Sequence, residues 1–334
     1  MQTYSSLVFL PSGVKPVMVY NEEARGGEML YILGLLLAVF ASALWGTTGP
    51  FFRIAGQWGL DVITVNFVRY AVCSLALLFF VKKGNTKSWD WKSPLFILGS
   101  SGMLLSSLGL NVAFMRISIG LSMVIYYSAP CWVMLGSWLF WRHKVTVVQV
   151  VAFVMALLGI WKALGGAQAQ GTLDLVGVAA ALLAAMGYAT YVLNGHFGPG
   201  RNDRLGMYAR TFFVATAIMT VLAICSGNLG VLLGLPLRAW LVLFYLAVFC
   251  TLIPYGLFIL SLRFISGNAA SIATMSEVPF SMMWAFFILS EVPETSAVVG
   301  GAIVLSGVAL MSLERKPRRS SLEKKGERGS SPAE

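Results

Sequence analysis

The chain has 334 residues, of which 57% are hydrophobic and only 11% are charged, and it carries a formal net charge of +10 at pH 7. Soluble domains average roughly one-quarter charged residues, so this composition excludes an ordinary soluble protein. In a soluble protein the positive charge would indicate a nucleic-acid partner, but in a membrane protein the positions of the basic residues decide its meaning. We therefore expect an integral membrane protein with no nucleic-acid partner.

Ten apolar windows follow one another along the chain, and each is long enough as a helix to cross a hydrocarbon core of ~30 Å. Residues 1–28 precede the first window and lack the apolar core of a signal peptide, so we expect a cytoplasmic leader. Residues 314–334 are polar and charged, which predicts a disordered basic cytoplasmic tail that either is a solvated topology anchor, the preferred interpretation, or rests on anionic membrane lipid. The windows lie at approximately 29–50, 61–81, 94–115, 119–140, 146–164, 173–196, 206–226, 238–261, 268–290 and 296–313.

The basic residues lie in alternate connecting segments. With the N-terminus inside, the inner segments hold 18 of the 24 Lys and Arg residues, whereas the outer loops hold four. An excess of Lys and Arg in cytoplasmic segments is what the positive-inside rule predicts. We therefore expect both termini in the cytoplasm and place the protein in the plasma (inner) membrane. The two remaining basic residues, Arg69 and Arg210, fall within spans.

Two stretches of the chain resemble each other. Residues 113–141 echo residues 260–290, and Pro130 in the first stretch matches Pro279 in the second at a spacing of 149 residues. Such an internal repeat is typical of transporters that are built from two similar halves.

The repeat predicts two five-helix halves, 29–164 and 165–313. Because five is an odd number, the second half starts on the opposite side of the membrane, so the two halves have inverted topology. The expected fold is therefore an all-α membrane protein with ten transmembrane helices in two inverted five-helix repeats. Inverted repeats recur in secondary transporters, because exchanging the conformations of two similar halves closes one side and opens the other.

One carboxylate, Glu277, lies beside Pro279 in a window that is otherwise apolar. A charge at the bilayer centre costs about 2.5–3.5 kcal/mol on insertion scales, so we expect Glu277 to face a wet cavity or the protein interior. There it would carry a proton, hold a substrate cation, or do both in competition. The alternative is a buried polar anchor for neighbouring helices. Pro279 removes a backbone hydrogen bond and predicts a kink. On the face of Glu277 the helical spacing predicts the substrate-binding residues Thr274, Ser281 and Trp284.

The first half offers a matching set. Ser128 lies 149 residues before Glu277, and Tyr126 and Tyr127 adjoin it, close to a second predicted kink at Pro130. We predict that these three residues contribute to substrate binding, since an aromatic ring can contact a cationic or aromatic substrate. Packing or interface anchoring is the alternative for the tyrosines.

Arg69 lies about eight residues inside the second window, too deep for easy exposure to water. Three roles stay open from the sequence: it holds a substrate carboxylate, it pairs with Glu277, or it forms a structural ion pair or cap. We include it among the predicted substrate-binding residues.

Four motifs together resemble the drug/metabolite transporter (DMT) superfamily, and within it the EamA-type ten-helix exporters. The resemblance implies ten helices around a central cavity and export of small metabolites such as amino acids or related compounds. The family pattern also has an acidic residue at the end of the fourth and ninth helices. Glu291 fits that pattern, whereas Arg142 departs from it. The motifs are ALWG (43–46), NFVRYA (66–71), YYSAPCWVMLGSWLF (126–140) and SEVPFSMMWAFFILSE (276–291).

The predicted function is a secondary transporter that moves a small metabolite, an amino acid, amine or drug-like solute, by alternating access. We expect an exporter coupled to protons through Glu277. A non-transporting receptor or assembly subunit is the alternative, and an enzyme is disfavoured because no zinc-type His/Glu spacing or pair of mid-membrane aspartates occurs. None of the four cysteines forms a CxxC motif, so we expect no metal site and no cofactor. The sequence does not define the oligomeric state.

Overall fold

A computed structural model describes residues 22–81, 94–117, 119–163, 174–197, 204–290 and 292–313. Most of the predicted leader, the predicted tail and Glu291 lie outside the described residues. Within them the chain is almost wholly helical and contains no β-strand. The α-helices are α1 (Glu22–Trp45), α2 (Thr48–Gly56), α3 (Val62–Val81), α4 (Pro94–Arg116), α5 (Ile119–Tyr126), α6 (Ala129–Trp141), α7 (Val147–Ala163), α8 (Leu175–Phe197), α9 (Arg204–Ser226), α10 (Leu237–Ala247), α11 (Ile253–Ser261), α12 (Gly267–Ala273), α13 (Glu277–Leu289) and α14 (Thr295–Leu310).

The prediction of an all-α membrane protein is confirmed. Seven helical segments of the described chain are long and apolar enough to cross a membrane, and three shorter apolar helices accompany them. Every predicted window contains one of these segments, while the count of ten spans stays a prediction. The helix in the first window begins at Glu22, seven residues before the window. Its first turns are rich in Glu, and acidic residues near a helix N-terminus are stabilised by the helix dipole.

Four of the windows contain a broken helix rather than a continuous one. A proline lies in the first turn after each break: Pro50 in α2, Pro130 in α6, Pro254 in α11 and Pro279 in α13. Proline has no N–H to donate to the carbonyl four residues earlier, yet it fits well in the first turn of a helix. The breaks lie at residues 46–47, 127–128, a π turn at Val248–Leu252 and a 3₁₀ turn at Thr274–Ser276.

The helices pack in pairs that relate the two halves of the chain. Helix α3 packs on α9 and α7 packs on α14, so the second window meets the seventh and the fifth meets the tenth. Helix α4 packs on α8 and α1 packs on α11, which joins the third window to the sixth and the first to the eighth. Replacing each window by its equivalent in the other half reproduces this set of pairs. The pairing therefore supports the proposed two-fold relation between the halves.

Small residues bring the paired helices close together. A Cβ added at Gly300 of α14 would lie 2.3 Å from the backbone N of Ala163 in α7, and one at Gly187 of α8 would lie 2.7 Å from the carbonyl O of Gly102 in α4. Close backbone approach of this kind supplies the packing that apolar lipid does not drive.

Two polar contacts place four connecting segments at one end of the bundle. The Asn228 amide donates to the Asp61 carboxylate at 2.7 Å, and the Arg116 guanidinium donates to the Asp174 carboxylate at 3.2 Å. Asn228 follows α9, Asp61 precedes α3, Arg116 is the last residue of α4, and Asp174 precedes α8. We call this end of the bundle the mouth end, because the cavity described below opens there.

The opposite end is closed by a buried chain of polar side chains from α6, α7 and α12. The Ser137 hydroxyl donates to Oδ1 of Asn268 at 3.0 Å, and Nδ2 of Asn268 donates to Oε1 of Gln149 at 3.1 Å. All three side chains are buried. Hydrogen bonds between buried polar side chains offset the cost of burying them, so this cluster joins α6, α7 and α12.

Candidate functional site

A cavity of about 530 Å³ lies between the two halves and is lined by all four broken helices. The lining residues extend from the mouth end past the breaks as far as Ser271 of α12. At the rim, Gly49, Arg53 and Val62 are exposed. The cavity therefore opens at the mouth end, and the buried Ser137–Asn268–Gln149 cluster lies at the opposite end.

Glu277 lies in the cavity wall, in the first turn of α13. Its side chain is neither fully buried nor fully exposed, as expected for a group that borders a cavity. The start of a helix favours negative charge through the helix dipole, and the Tyr127 side chain lies near the carboxylate.

Three tyrosines surround this carboxylate. The ring of Tyr126 lies 5.3 Å from that of Tyr127 and 6.0 Å from that of Tyr188, measured between centroids. The Tyr126 hydroxyl is 3.2 Å from Oγ of Ser106, and the Tyr188 hydroxyl is 2.9 Å from Oγ1 of Thr274. Each phenol therefore keeps a polar partner while its ring supplies apolar wall, the arrangement that suits a partly apolar solute.

Arg69 lines the same cavity and is only 8% exposed. Its Nε donates to Oγ1 of Thr251 at 2.8 Å, and its Nη1 donates to Oδ1 of Asn66 at 3.1 Å. Its Nη2 donates to the carbonyl O of Cys250 at 3.4 Å. Within the described residues Arg69 forms no ion pair, so the predicted pairing with Glu277 is not made.

The sequence around Pro254 explains how the acceptors of Arg69 arise. In a regular helix the carbonyl of Cys250 would accept from the N–H of residue 254, which proline lacks. That carbonyl is free for Arg69 instead. In the adjacent π turn, the Thr251 hydroxyl donates to the carbonyl O of Leu246 at 2.8 Å and can still accept from Arg69.

Three predicted residues lie outside the cavity lining. Nε1 of Trp284 donates to the carbonyl O of Ala43 at 2.8 Å, and that interaction joins α13 to α1 beside the break at residues 46–47. Oγ of Ser128 accepts from Nε1 of Trp132 at 3.3 Å, within α6. Pro279 packs against Gly301 of α14. The other predicted residues are brought together at the cavity: Glu277, Arg69, Tyr126, Tyr127, Thr274, Ser281 and Pro130.

Sequence reasoning missed several wall residues, among them Tyr188, Tyr255 and Trp45. The rings of Trp45 and Tyr255 meet edge to face at 4.9 Å. A signal for part of this wall was present, because Pro254 interrupts an apolar window in the same way as Pro279. Tyr188 had no such signal, since aromatic residues are common in membrane helices.

The cavity thus presents the Glu277 carboxylate, the Arg69 guanidinium, the Arg53 guanidinium at the rim and several aromatic rings, in a space that fits a small organic solute. Glu277 and Arg69 do not form an ion pair with each other, so both side chains can contact a bound molecule. The described residues contain no group of three or more His, Cys, Asp or Glu side chains arranged to hold a metal ion.

Comparison with known proteins agrees with this architecture. The chain is 23% identical over 274 residues to "Uncharacterized transporter YdfC" of Bacillus subtilis (strain 168), covering 81% of this chain and 88% of that protein. It is 25% identical over 284 residues to "Uncharacterized transporter YxxF" of the same strain, covering 83% and 89%. A solved structure titled "Crystal structure of protein" superposes with a TM-score of 0.69 at 14% identity, covering 84% of this chain and 96% of that one. That likeness shows a shared fold.

Two parts of the chain, residues 32–164 and 175–313, match the sequence model of the EamA-like transporter family. These matches span most of the chain and meet close to the proposed boundary between the two halves. The prediction made from the four motifs is confirmed: the chain belongs to the EamA-like transporter family.

Proposed function

We propose that this transporter moves a small metabolite across the plasma (inner) membrane by alternating access, as an exporter coupled to protons through Glu277. The observation that carries the proposal is a carboxylate at a helix break, in the wall of a cavity that is open at one end. Discontinuous helices near the bilayer midplane are the usual site of substrate and ion binding in transporters built from inverted repeats.

Topology supports a direction for the opening. With both termini in the cytoplasm, the mouth end faces outward and the Ser137–Asn268–Gln149 cluster closes the cytoplasmic side. Substrate release from an exporter requires such an outward-open state. Loading requires the opposite state, in which this polar cluster separates and the mouth closes.

The substrate is an amino acid, amine or drug-like solute. Glu277 and the aromatic walls suit an ammonium group attached to an apolar body. A nucleotide sugar or a phosphate ester would need several basic groups, and the described lining offers Arg69 and the rim residue Arg53.

A receptor or assembly subunit is the second candidate, because a cavity that binds a solute does not by itself show transport. Reconstitution discriminates the two. The purified full-length chain is reconstituted into liposomes, and the liposomes are loaded with labelled amino acids and amines. Efflux of each solute is then compared with efflux from protein-free liposomes. Saturable efflux of any solute supports the transporter, whereas saturable binding without efflux supports the receptor.

A further inference from the structure

We infer that Arg69 forms an anion subsite and that the transported solute carries a carboxylate. This inference rests on the proposed transport function and narrows its substrate class. It favours amino acids and other carboxylates over simple amines and cationic drugs.

The first step of the argument is the charge of Arg69. Its polar partners, Thr251, Asn66 and the Cys250 carbonyl, are all neutral, and the Phe52 ring covers it at 5.2 Å from Cζ to the centroid. An arginine is always charged in proteins, and a charge inside the membrane region is normally paired or placed against water. Here the described residues supply only neutral acceptors and no counter-ion, so a carboxylate bound in the cavity would supply the missing opposite charge.

The second step is the number and position of the remaining donors. A guanidinium has five N–H donors. The three bonds described above use the single donor of Nε, one of Nη1 and one of Nη2, which leaves one donor on each terminal nitrogen. A carboxylate can accept from one N–H on each terminal nitrogen of a guanidinium through both of its oxygens.

The third step is the rigidity of the site. Asn66 is one turn from Arg69 on α3, while Thr251 and Cys250 belong to the π turn that precedes Pro254. These contacts fix the plane of the guanidinium, and Phe52 covers one of its faces. A fixed planar donor group loses little conformational entropy on binding and discriminates by geometry as well as by charge.

Glu277 completes the recognition of a bipolar solute. It lines the same cavity without pairing with Arg69, so it can meet the ammonium group while Arg69 meets the carboxylate. The aromatic wall between them would contact the side chain of the solute.

The test is a binding assay on the purified full-length chain in detergent, by calorimetry and thermal shift, which needs no transport. The probes are alanine, leucine and phenylalanine, each with its amide and its decarboxylated amine. We expect the amino acids to bind the wild type and to lose on the order of 10- to 100-fold in affinity in Arg69→Gln. Amides and amines should bind more weakly than the amino acids and change less than threefold in that variant.

Two further variants test whether affinity depends on the charge of residue 69, on the geometry of its donors or on its location in the cavity. Arg69→Lys keeps the charge but lacks the two terminal nitrogens of a guanidinium, so it should recover part of the lost affinity. Arg238→Gln removes an exposed cation that lies outside the cavity lining and should change affinity less than threefold. If Arg69→Gln does not fold, Arg69→Lys and the ranking of probes on the wild type still decide the question.

The inference is overturned if no carboxylate probe binds the wild type, if the amines bind as tightly as the amino acids, or if Arg69→Gln weakens all probes equally. Failure of the transport function gives a different result. In that case the amino acids bind through Arg69 and no efflux occurs in liposomes.

Discussion

Tyr188 shows how a single hydroxyl can control the site at the residue scale. Its bond to Oγ1 of Thr274 holds the first residue of the 3₁₀ turn Thr274–Ser276, and Glu277 follows directly after that turn. Thr274 is also held by its own bond to the carbonyl O of Ser271 at 2.8 Å. The position of the Glu277 carboxylate therefore depends on a side chain from α8, another helix of the cavity wall.

We expect Tyr188→Phe to weaken substrate binding by about three- to tenfold, because a hydrogen bond of this kind contributes roughly 0.5–1.5 kcal/mol. Folded yield should not change. Tyr191→Phe is the matched control, since the Tyr191 hydroxyl is buried without a hydrogen-bond partner in the described structure. Removing that hydroxyl should leave affinity unchanged and leave the melting temperature equal or higher. Equal effects of the two substitutions on affinity would contradict the role given to Tyr188.

At the element scale, three of the four helix pairs, α3–α9, α4–α8 and α7–α14, consist of unbroken helices, whereas α1 and α11 belong to the broken helices at the cavity. Helices α7 and α14 cross where Gly159 and Gly300 lie, and a Cβ at Gly159 would lie 2.7 Å from the carbonyl O of Gly300. The broken helices instead leave space between them at the cavity. The closely packed helix pairs form a rigid frame. We expect the short segments of the broken helices to move within this frame.

Gly300→Ala should reduce stability by about 1–3 kcal/mol, because the added methyl group meets backbone atoms that cannot move independently. Gly56→Ala is the control, since nothing lies within 4 Å of its added Cβ and alanine favours a helix. Thermal unfolding in detergent should therefore show a lower melting temperature for the first variant and an equal or higher one for the second. An unchanged melting temperature in Gly300→Ala would show that this crossing is not tightly packed.

The sequence was sufficient for the helices and for part of the site, for identifiable reasons. Hydropathy located the helical segments, because a span must be apolar along its whole length. Glu277 was found because a lone charge in such a segment is conspicuous, and Pro130 and Pro279 because the repeat aligned them. Contacts between distant windows could not be predicted in this way. Trp284 was expected on the cavity face, but its indole N–H finds the carbonyl of Ala43, which the break in the first window makes available.

At the scale of the whole molecule, inverted topology determines which side of the membrane each connecting segment faces. The contacts Asp61–Asn228 and Arg116–Asp174 hold segments from both halves at one end of the bundle. An inverted pair of five-helix halves with cytoplasmic termini places all four segments outside.

Cysteine labelling with a membrane-impermeant reagent tests this arrangement in intact cells and in inverted vesicles. Single cysteines in the 82–92 loop, which lies outside the described residues, and in the 314–334 tail should react only from the cytoplasmic side. A cysteine in the exposed segment around Leu233 should react only from outside. Reaction of all three from the same side would contradict the inverted topology.

The central claim is that Glu277 couples solute movement to protons, and an imposed pH gradient across proteoliposomes tests it most directly. Glu277→Gln keeps the shape of the side chain but cannot ionise, whereas Glu294→Gln removes an exposed carboxylate beside α14 as the control. With the solute that gives the largest wild-type flux, the account predicts normal folded yield in both variants and loss of gradient-driven accumulation in Glu277→Gln alone. Unchanged accumulation and unchanged affinity in Glu277→Gln would contradict the account, and loss of folded protein in that variant would identify Glu277 as a structural anchor.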